Sequence, residues 1–278
     1  MRPSFRSSDL RIFLSTCLWA VLVSRGRSCL ERKDTGYLQI DCEGNGSLPS
    51  SVSGDHRRLD LANAELDRAP DDFFGEIDPV RLRLFAFEVY DDFHPRTKGA
   101  LRSLEVYDTR SVFSWTFSPR HLANLTHLVL DNAGVYFAGK GLNELTSLRF
   151  LEVRDSSLAW TTPDGFANLK ELRLLCLSGN LLKTFRRNYL PDPAPHLWHL
   201  DLSFNRIVKL PADSFDGLPS LRELKLDHNR LRSLPDETAL PSHLRELWIH
   251  GNPLCEEEKV RSCLCCYPPD SHLSSCHQ

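Results

Sequence analysis

The chain has 278 residues, of which 41% are hydrophobic and 26% are charged, and its formal net charge at pH 7 is −3. This mildly acidic balance argues against nucleic acid and anionic membranes as partners. No apolar run approaches the ~18 residues that a membrane span needs, so we expect no transmembrane segment.

Residues 1–26 have the composition of a secretory signal peptide. Arg2, Arg6 and Arg11 make the start basic, and the apolar run 12–23 that follows is too short to cross a bilayer. The alternative is a membrane anchor. Cleavage after residue 26 would remove four arginines and one aspartate, which changes the formal net charge to −6. About 250 residues would remain, enough for one domain.

A repeated phrase, L-x-x-L-x-L-x-x-N-x-L, occupies residues 55–254. A period of about 24 residues is typical of solenoids, in which each repeat forms one structural unit. With the first leucine as position 1, seven copies share one frame, and they start at Leu101, Leu125, Leu148, Leu172, Leu197, Leu221 and Leu244. Position 9 holds Asn in the C-terminal half, whereas the three N-terminal copies have Thr109, Ala133 and Ser156.

Positions 4 to 6 alternate as a β-strand does. Leucines at positions 4 and 6 would point into the core, and position 5 would point to solvent. We expect each strand to pair in parallel with its neighbour, because a single repeat cannot bury its own leucines. The position-9 Asn would lie inside the turn and hydrogen-bond backbone groups that would otherwise be buried unpaired.

The N-terminal repeats are less regular. Residues Leu59–Leu66 indicate one repeat. Between it and Leu101, Glu88–Asp91 has the same letters as Glu105–Asp108, which indicates a repeat that starts at Leu84. That unit would be only 17 residues long, so we predict a truncated or distorted repeat there.

The repeats resemble the extracellular leucine-rich repeat family, which includes Toll-type receptor ectodomains, axon-guidance proteins and secreted matrix proteins. The resemblance covers roughly residues 55–254, with about eight or nine repeats. It implies an α/β solenoid: a leucine-rich repeat horseshoe with a parallel sheet on the concave face and mostly irregular convex segments. Such solenoids present a long concave surface to a partner. The fold hosts many partners, so it does not name one.

The resemblance also implies caps over the open ends of the solenoid, at residues 27–54 and 255–278. In the N-terminal cap, Leu38–Cys42 resembles the family's cap strand, which implies a disulfide between Cys42 and Cys29. The second begins as the family's cap does, at Asn252–Cys255, but then departs from it. The pairing of its cysteines therefore stays open; they are Cys255, Cys263, Cys265, Cys266 and Cys276.

The cysteines favour an oxidising compartment. Cys176 lies three repeats from the C-terminal cap, too far for a bridge, so we predict that it stays outside any disulfide. The cap has an odd number of cysteines, so one stays unbridged or links two chains into a disulfide-bonded dimer. Zinc bound there with His272 and His277 is the less favoured alternative, because the spacing matches no standard site. We expect neither a metal nor a cofactor.

Two sequons, Asn45–Ser47 and Asn124–Thr126, predict N-glycosylation. Asn45 is expected in a glycine-rich loop beside the N-terminal cap, and Asn124 at the rim of the sheet.

Catalytic motifs of hydrolases, zinc proteases and phosphate-binding loops are missing from the sequence. His199, Asp201 and Ser203 alternate along one strand, but a catalytic triad needs convergent side chains, and a strand sends them out in parallel. We interpret these three as polar surface and expect no enzymatic activity.

Residues of the concave face carry the binding prediction, because exposed aromatic and charged side chains concentrate the energy of protein interfaces. The nominated residues form two clusters: Trp198, Asp201, Lys225, Trp248 and His250 in the C-terminal part, and Tyr107, Glu152 and Arg154 in the N-terminal part. Phe204 either adds to the first cluster or packs in the turn below Asn205. Arg occupies position 2 in five repeats, and we expect this rim to pair with the acidic floor or to serve solubility.

These observations predict a secreted protein that binds an extracellular ligand or receptor protein through its concave face, in a soluble recognition or decoy role. The alternatives are a structural matrix component that binds fibrous protein and a shed or truncated receptor ectodomain.

Overall fold

A computed structural model describes residues 19–24, 27–48, 56–65, 77–86, 99–109, 122–135, 137–138, 142–234 and 240–253. Its strands are β1 Trp19–Ser24, β2 Arg27–Asp34, β3 Tyr37–Ser47, β4 Arg58–Glu65, β5 Arg81–Phe85, β6 Ser103–Tyr107, β7 His127–Asp131, β8 Phe137–Ala138, β9 Phe150–Arg154, β10 Trp160–Thr161, β11 Leu174–Cys176, β12 His199–Asp201, β13 Glu223–Lys225 and β14 Glu246–Trp248. Short 3-10 turns occupy Leu142–Glu144 and Arg187–Tyr189. Within these ranges no helix has the length and apolar character needed to cross a membrane.

Twelve strands form one sheet, whose order follows the chain once β8 and β10 are left out. From β3 onward neighbouring strands are parallel, and position-4 leucines face one another from repeat to repeat, as Leu200 faces Leu224. β8 and β10 pair in parallel as a second, two-stranded sheet. The predicted parallel solenoid is confirmed, and the described segments between its strands are almost without helix.

The leucines of the repeat frame form a single continuous core, as the pattern predicts. Leu221, Leu224 and Leu226 are fully buried, and equivalent leucines of neighbouring repeats stack on them. The position-9 asparagines complete the turns: Asn229 accepts a hydrogen bond from the amide of Ile207 at 3.0 Å and donates to the carbonyl of Leu202 at 2.9 Å. The core therefore exists only as a stack of repeats.

The prediction of a truncated repeat starting at Leu84 is wrong. Leu82 and Leu84 pair with Leu104 and Val106, so they occupy positions 4 and 6 of an ordinary strand. In this register position 1 falls on Pro79, 22 residues before Leu101. The sequence frame was lost because a proline replaces the leading leucine.

The N-terminal cap has the predicted form. β2 and β3 form an antiparallel hairpin in which Cys29 faces Cys42, and the two are joined by a disulfide. β3 then pairs in parallel with β4, so it covers the first repeat. β1, which pairs with β2, lies inside the segment predicted as a signal peptide, and that assignment stays a prediction. The predicted C-terminal cap, with all five of its cysteines, lies outside the described residues.

Candidate binding surface on the concave sheet

Positions 3, 5 and 7 of each strand lie on the sheet face opposite the leucines. The expectation that position 5 points to solvent is wrong for five of the nine described strands of the repeats, because the following position-5 residues are buried: Asp60, Glu105, Glu152, Cys176 and Asp201. The strands are ~4.8 Å apart and in register, so each side chain is flanked by its equivalents on both sides. Longer neighbours then cover shorter ones.

The acidic N-terminal part of this face carries its own counter-charges. Glu105 accepts a hydrogen bond from Arg81 Nε at 2.6 Å and lies 3.5 Å from Arg83 Nε. Arg83 also lies 3.7 Å from Asp60. Both arginines come from β5, whose register the sequence frame missed, so the face appeared more acidic in sequence than it is in the fold.

Two tyrosines close this network. Tyr107 donates to Glu105 at 3.0 Å, and Tyr37 donates to Asp60 at 3.1 Å. Burial and the adjacent Asp60 carboxylate raise the pKa of Tyr37 to about 12, and burial with the Glu105 carboxylate raises the pKa of Tyr107 as well. Both phenols therefore remain protonated donors at neutral pH.

The second nominated cluster is largely committed to internal contacts. Arg154 lies 3.2 Å from Asp131 and 3.5 Å from Glu152. Arg154 and Glu152 are each only 9% exposed, and Tyr107 is bound to Glu105. These residues can orient the face, but they offer a partner little free surface.

His199 and Asp201 of β12, and Ser203 just after it, are buried rather than displayed as surface, which corrects the sequence interpretation. Ser203 donates its hydroxyl to Asp201 at 2.6 Å, and His199 Nδ1 lies 2.7 Å from Glu223 on the next strand. The bond to His199 and the charge of Lys225 lower the pKa of Glu223. Here a carboxylate, and not the imidazole, accepts the hydrogen bond of the serine hydroxyl, which is not the arrangement of a serine triad.

The C-terminal part of the face exposes aromatic surface. Phe204 is 52% exposed and stacks on His228 with 4.4 Å between ring centroids, so it does not pack below Asn205. His228 meets His250 edge-on at 5.0 Å. Trp248 lies 6.0 Å from the His250 ring, and Lys225 Nζ lies 5.5 Å from the Trp248 centroid. Trp248, Lys225 and His250 are partly exposed, so three nominated residues share one continuous patch.

Phe204 and His228 both occupy position 8, where the backbone turns out of the strand with positive φ. Their φ angles are 52° and 51°, and the repeats on either side have Gly179 and Gly251 there. The left-handed conformation costs a side-chain-bearing residue ~1–2 kcal/mol. The backbone conformation at these two positions therefore favours glycine, and the exposed rings of Phe204 and His228 are present at a cost in local stability.

One group of potential metal ligands appears in the described residues: Asp227, His228 and His250. Their donor atoms lie within 4.8 Å of one another, with His250 Nε2 at 3.8 Å from Asp227 Oδ2. Sequence reasoning did not find it. The signal was the recurrence of His at position 8 of one repeat and position 7 of the next.

The remaining nominated residue of the first cluster, Trp198, stands at position 2, just before β12. It is 39% exposed and meets the His199 ring edge-on at 5.5 Å. The position-2 arginines share this edge and are exposed. Glu105 and Glu152 pair with cations of the floor itself, Glu105 with Arg81 and Arg83 and Glu152 with Arg154. The role of the arginine rim stays a prediction.

The sequons and Cys176 have definite places in the fold. Asn124 is exposed and donates to the carbonyl of Gly99 at 3.1 Å. Asn45 lies within β3, at a register shift between Asp41 and Gly46, and not in a loop. Glycosylation of either stays a prediction. Cys176 is buried, and its sulfur lies 3.3 Å from Ser178 Oγ. That it stays outside any disulfide remains a prediction.

Comparison with known proteins agrees with this geometry. A family model described as leucine rich repeat matches residues 195–254. The structure has the leucine-rich repeat fold. An internalin from Listeria monocytogenes is similar to this chain in structure, with a TM-score of 0.51 and 20% identity over 70% of this chain and 54% of the internalin. At that identity the likeness concerns the fold alone.

Curated relatives match parts of the repeat array. Tsukushi-A of Xenopus laevis is 41% identical over 81 residues, which are 29% of this chain and 23% of Tsukushi-A. Podocan-like protein 1 of Mus musculus is 33% identical over 146 residues, 49% of this chain and 24% of the relative. The chain thus spans about a quarter of these relatives. Both are extracellular leucine-rich repeat proteins.

Proposed function

We propose that this leucine-rich repeat protein is secreted and recognises another extracellular protein with the C-terminal part of its concave face. The contact surface is formed by Phe204, His228, His250, Trp248 and Lys225, with Trp198 at its edge. Relatives such as Tsukushi-A and podocan-like protein 1 support the extracellular setting. The proposed role is binding rather than catalysis.

The observation that carries the proposal is the exposed stack of Phe204 on His228. Both residues stand where a glycine would relieve the backbone, and neither contributes its ring to the core. Such exposed aromatic rings cost local stability, and burial by a partner protein would offset that cost. Lys225 and His250 beside them supply charge and hydrogen-bond donors for specificity.

Asp201, Glu152 and Arg154 have a supporting role in this proposal. All three are buried: Asp201 accepts a hydrogen bond from the amide of Ser203, next to Phe204, and Arg154 pairs with Glu152 in the N-terminal part of the face. Tyr107 belongs with them through its bond to Glu105. The partner would touch the aromatic patch first.

Capture from extracellular fluid, followed by mass spectrometry, identifies the partner. Affinity is then compared for the wild type and for the double variant Phe204→Gly, Trp248→Ala. Glycine fits the φ at residue 204, so folding should be intact, and binding should fall by more than about tenfold, or ~1.4 kcal/mol. The control is Trp160→Ala, because Trp160 is 56% exposed and lies in β10, outside the main sheet.

Unchanged affinity in the double variant, with a loss in Trp160→Ala, would place the interface away from the concave patch. The captured partner also separates the roles. A soluble ligand or receptor supports recognition or a decoy function, whereas a fibrous matrix protein supports the structural alternative. Secretion is tested by N-terminal sequencing of protein from culture medium, and a chain that retains Met1 would contradict the predicted cleavage.

A further inference from the structure

We infer that Asp227, His228 and His250 form a binding site for a divalent transition-metal ion of the zinc type. The three side chains come from two adjacent repeats, at positions 7 and 8 of one and position 7 of the next. Parallel pairing of β13 and β14 fixes this juxtaposition, because Lys225 lies opposite Trp248 and the residues that follow continue side by side.

The donor set suits zinc, cobalt, nickel or copper ions. Two imidazole nitrogens and one carboxylate oxygen match the ligands of such ions, whereas calcium and magnesium take oxygen donors. Donors around a tetrahedral ion with bonds of ~2.0–2.1 Å lie about 3.4 Å apart. The His250–Asp227 distance of 3.8 Å is close to this value, and all donors lie within 4.8 Å of one another. Side-chain rotations that move the donor atoms by about 1 Å would therefore bring them to the spacing of a tetrahedral site.

The two imidazoles are held in place by their surroundings. The ring of Phe204 stacks on His228 at an interplanar angle of 14°. On the side of Gly251, a Cβ atom would stand only 2.7 Å from His228 Nδ1, so the absence of a side chain there makes room for the ring. Trp248 flanks His250 at 6.0 Å. Ligands that are already oriented lose little conformational entropy on binding, which favours affinity.

Charge also favours a cation here. Asp227 is only 5% exposed, and its Oδ2 lies 3.8 Å from His250 Nε2. A divalent ion would stabilise the ionised carboxylate in this setting. His228 is exposed and His250 partly so, which leaves the site open to solvent for a fourth ligand such as water.

The test uses metal alone and does not depend on the proposed protein partner. Full-length secreted protein, freed of metal with a chelator, is titrated with Co²⁺ and followed by its visible absorption. We expect one equivalent to produce ligand-field bands without the sulfur-to-cobalt charge-transfer band of cysteine ligation, and Zn²⁺ to displace it. His228→Ala and His250→Gln should each weaken binding by more than about 100-fold, beyond the effect of losing an outer-shell partner.

Matched controls are His196→Gln and His243→Gln, which change exposed histidines outside the group; both should bind as the wild type does. Zn²⁺ should also raise the midpoint of thermal unfolding of the wild type and of both controls, but not of His250→Gln. The inference is overturned by absent Co²⁺ binding, by equal affinity in His250→Gln, or by a charge-transfer band, which would place the metal on cysteines.

Discussion

At the residue scale, the buried Asp227 carboxyl is expected to lower the stability of the fold when it is ionised. Burial, with Asp201 adding and His250 opposing, raises its pKa. An acid with a raised folded-state pKa stabilises the fold below its unfolded value, about 3.9, and this contribution is lost as the pH rises through the folded value. The ionised carboxylate is therefore unfavourable at neutral pH when no metal is bound.

Asp227→Asn should consequently raise the free energy of unfolding near neutral pH in the presence of a chelator. The gain should shrink as the pH falls to about 4, where the wild-type carboxyl becomes protonated in both states. Urea unfolding at the two pH values measures the difference. A variant that is less stable than the wild type at neutral pH would show that the Asp227 charge stabilises the fold instead.

Asn205 shows how one side chain completes a turn. Its oxygen accepts from the amide of Leu182 at 3.0 Å, and its nitrogen donates to the carbonyls of Leu177, Leu202 and Ser203. Asn205→Ala leaves these buried groups unpaired, so we expect a loss of about 2–4 kcal/mol. Urea denaturation should find Asn188→Ala, at an exposed asparagine, nearly neutral; equal losses would contradict this role.

Sequence reasoning worked at this scale where a residue's role follows from its own repeat. The buried leucines and the asparagine turns follow from spacing, and the Cys29–Cys42 bridge follows from the resemblance of the N-terminal cap. It failed where the role depends on lateral neighbours: Asp201 is buried because adjacent strands cover it, and Phe204 is exposed because its turn is left-handed. A pattern within one repeat carries no information about which side chain covers which.

Each strand of the sheet is a small element whose stability comes from the leucines beneath it. Leu224 lies in β13 at position 4 of its repeat. It is fully buried, and it pairs with Leu200 on one side and Leu247 on the other. Leu224→Ala should cost about 2–5 kcal/mol, since the neighbouring repeats cannot close on the cavity.

The adjacent control is Lys225→Ala, which removes a partly exposed side chain from the opposite face. Its ion pair with Glu223 at 3.2 Å is partly screened by water, so its loss should cost less than about 1 kcal/mol. Chemical denaturation of both variants measures the two losses in the free energy of unfolding. Comparable losses would mean that the concave side chains stabilise the sheet as much as the core does.

The N-terminal elements show why repeat register was harder to predict than repeat existence. Pro79 stands at position 1 of the repeat that contains β5, and His56 at the same position of the repeat that contains β4. Without the leading leucine, the similarity of Glu88–Asp91 to Glu105–Asp108 shifted the predicted frame by five residues, from Pro79 to Leu84. The parallel partner strands restore it, because pairing requires Leu82 opposite Leu104.

Over the whole molecule, the two halves of the solenoid differ in how their turns are completed. A solenoid is stabilised by each repeat and by its contacts with immediate neighbours, so local differences persist as local differences in stability. Asn180 accepts from the amides of Ser156 and Leu158. In the preceding repeat the shorter Ser156 side chain accepts from Ala133 alone.

Amide hydrogen exchange should therefore divide the molecule near Ser156. Leu182, Ile207 and Leu231 occupy position 11 of their repeats, and each donates its amide to an asparagine of the next repeat. Val135 occupies the same position in the repeat of Leu125, where a serine follows. We expect Val135 to exchange at least about tenfold faster than Leu182 and Ile207, a difference of ~1.4 kcal/mol in local opening. All of these residues are buried within the array, so fraying of its ends does not explain the contrast.

Asn205→Ala should raise exchange at Leu182 toward the rate of Val135. Uniform rates at all four amides would instead mean that the solenoid opens only as one cooperative unit.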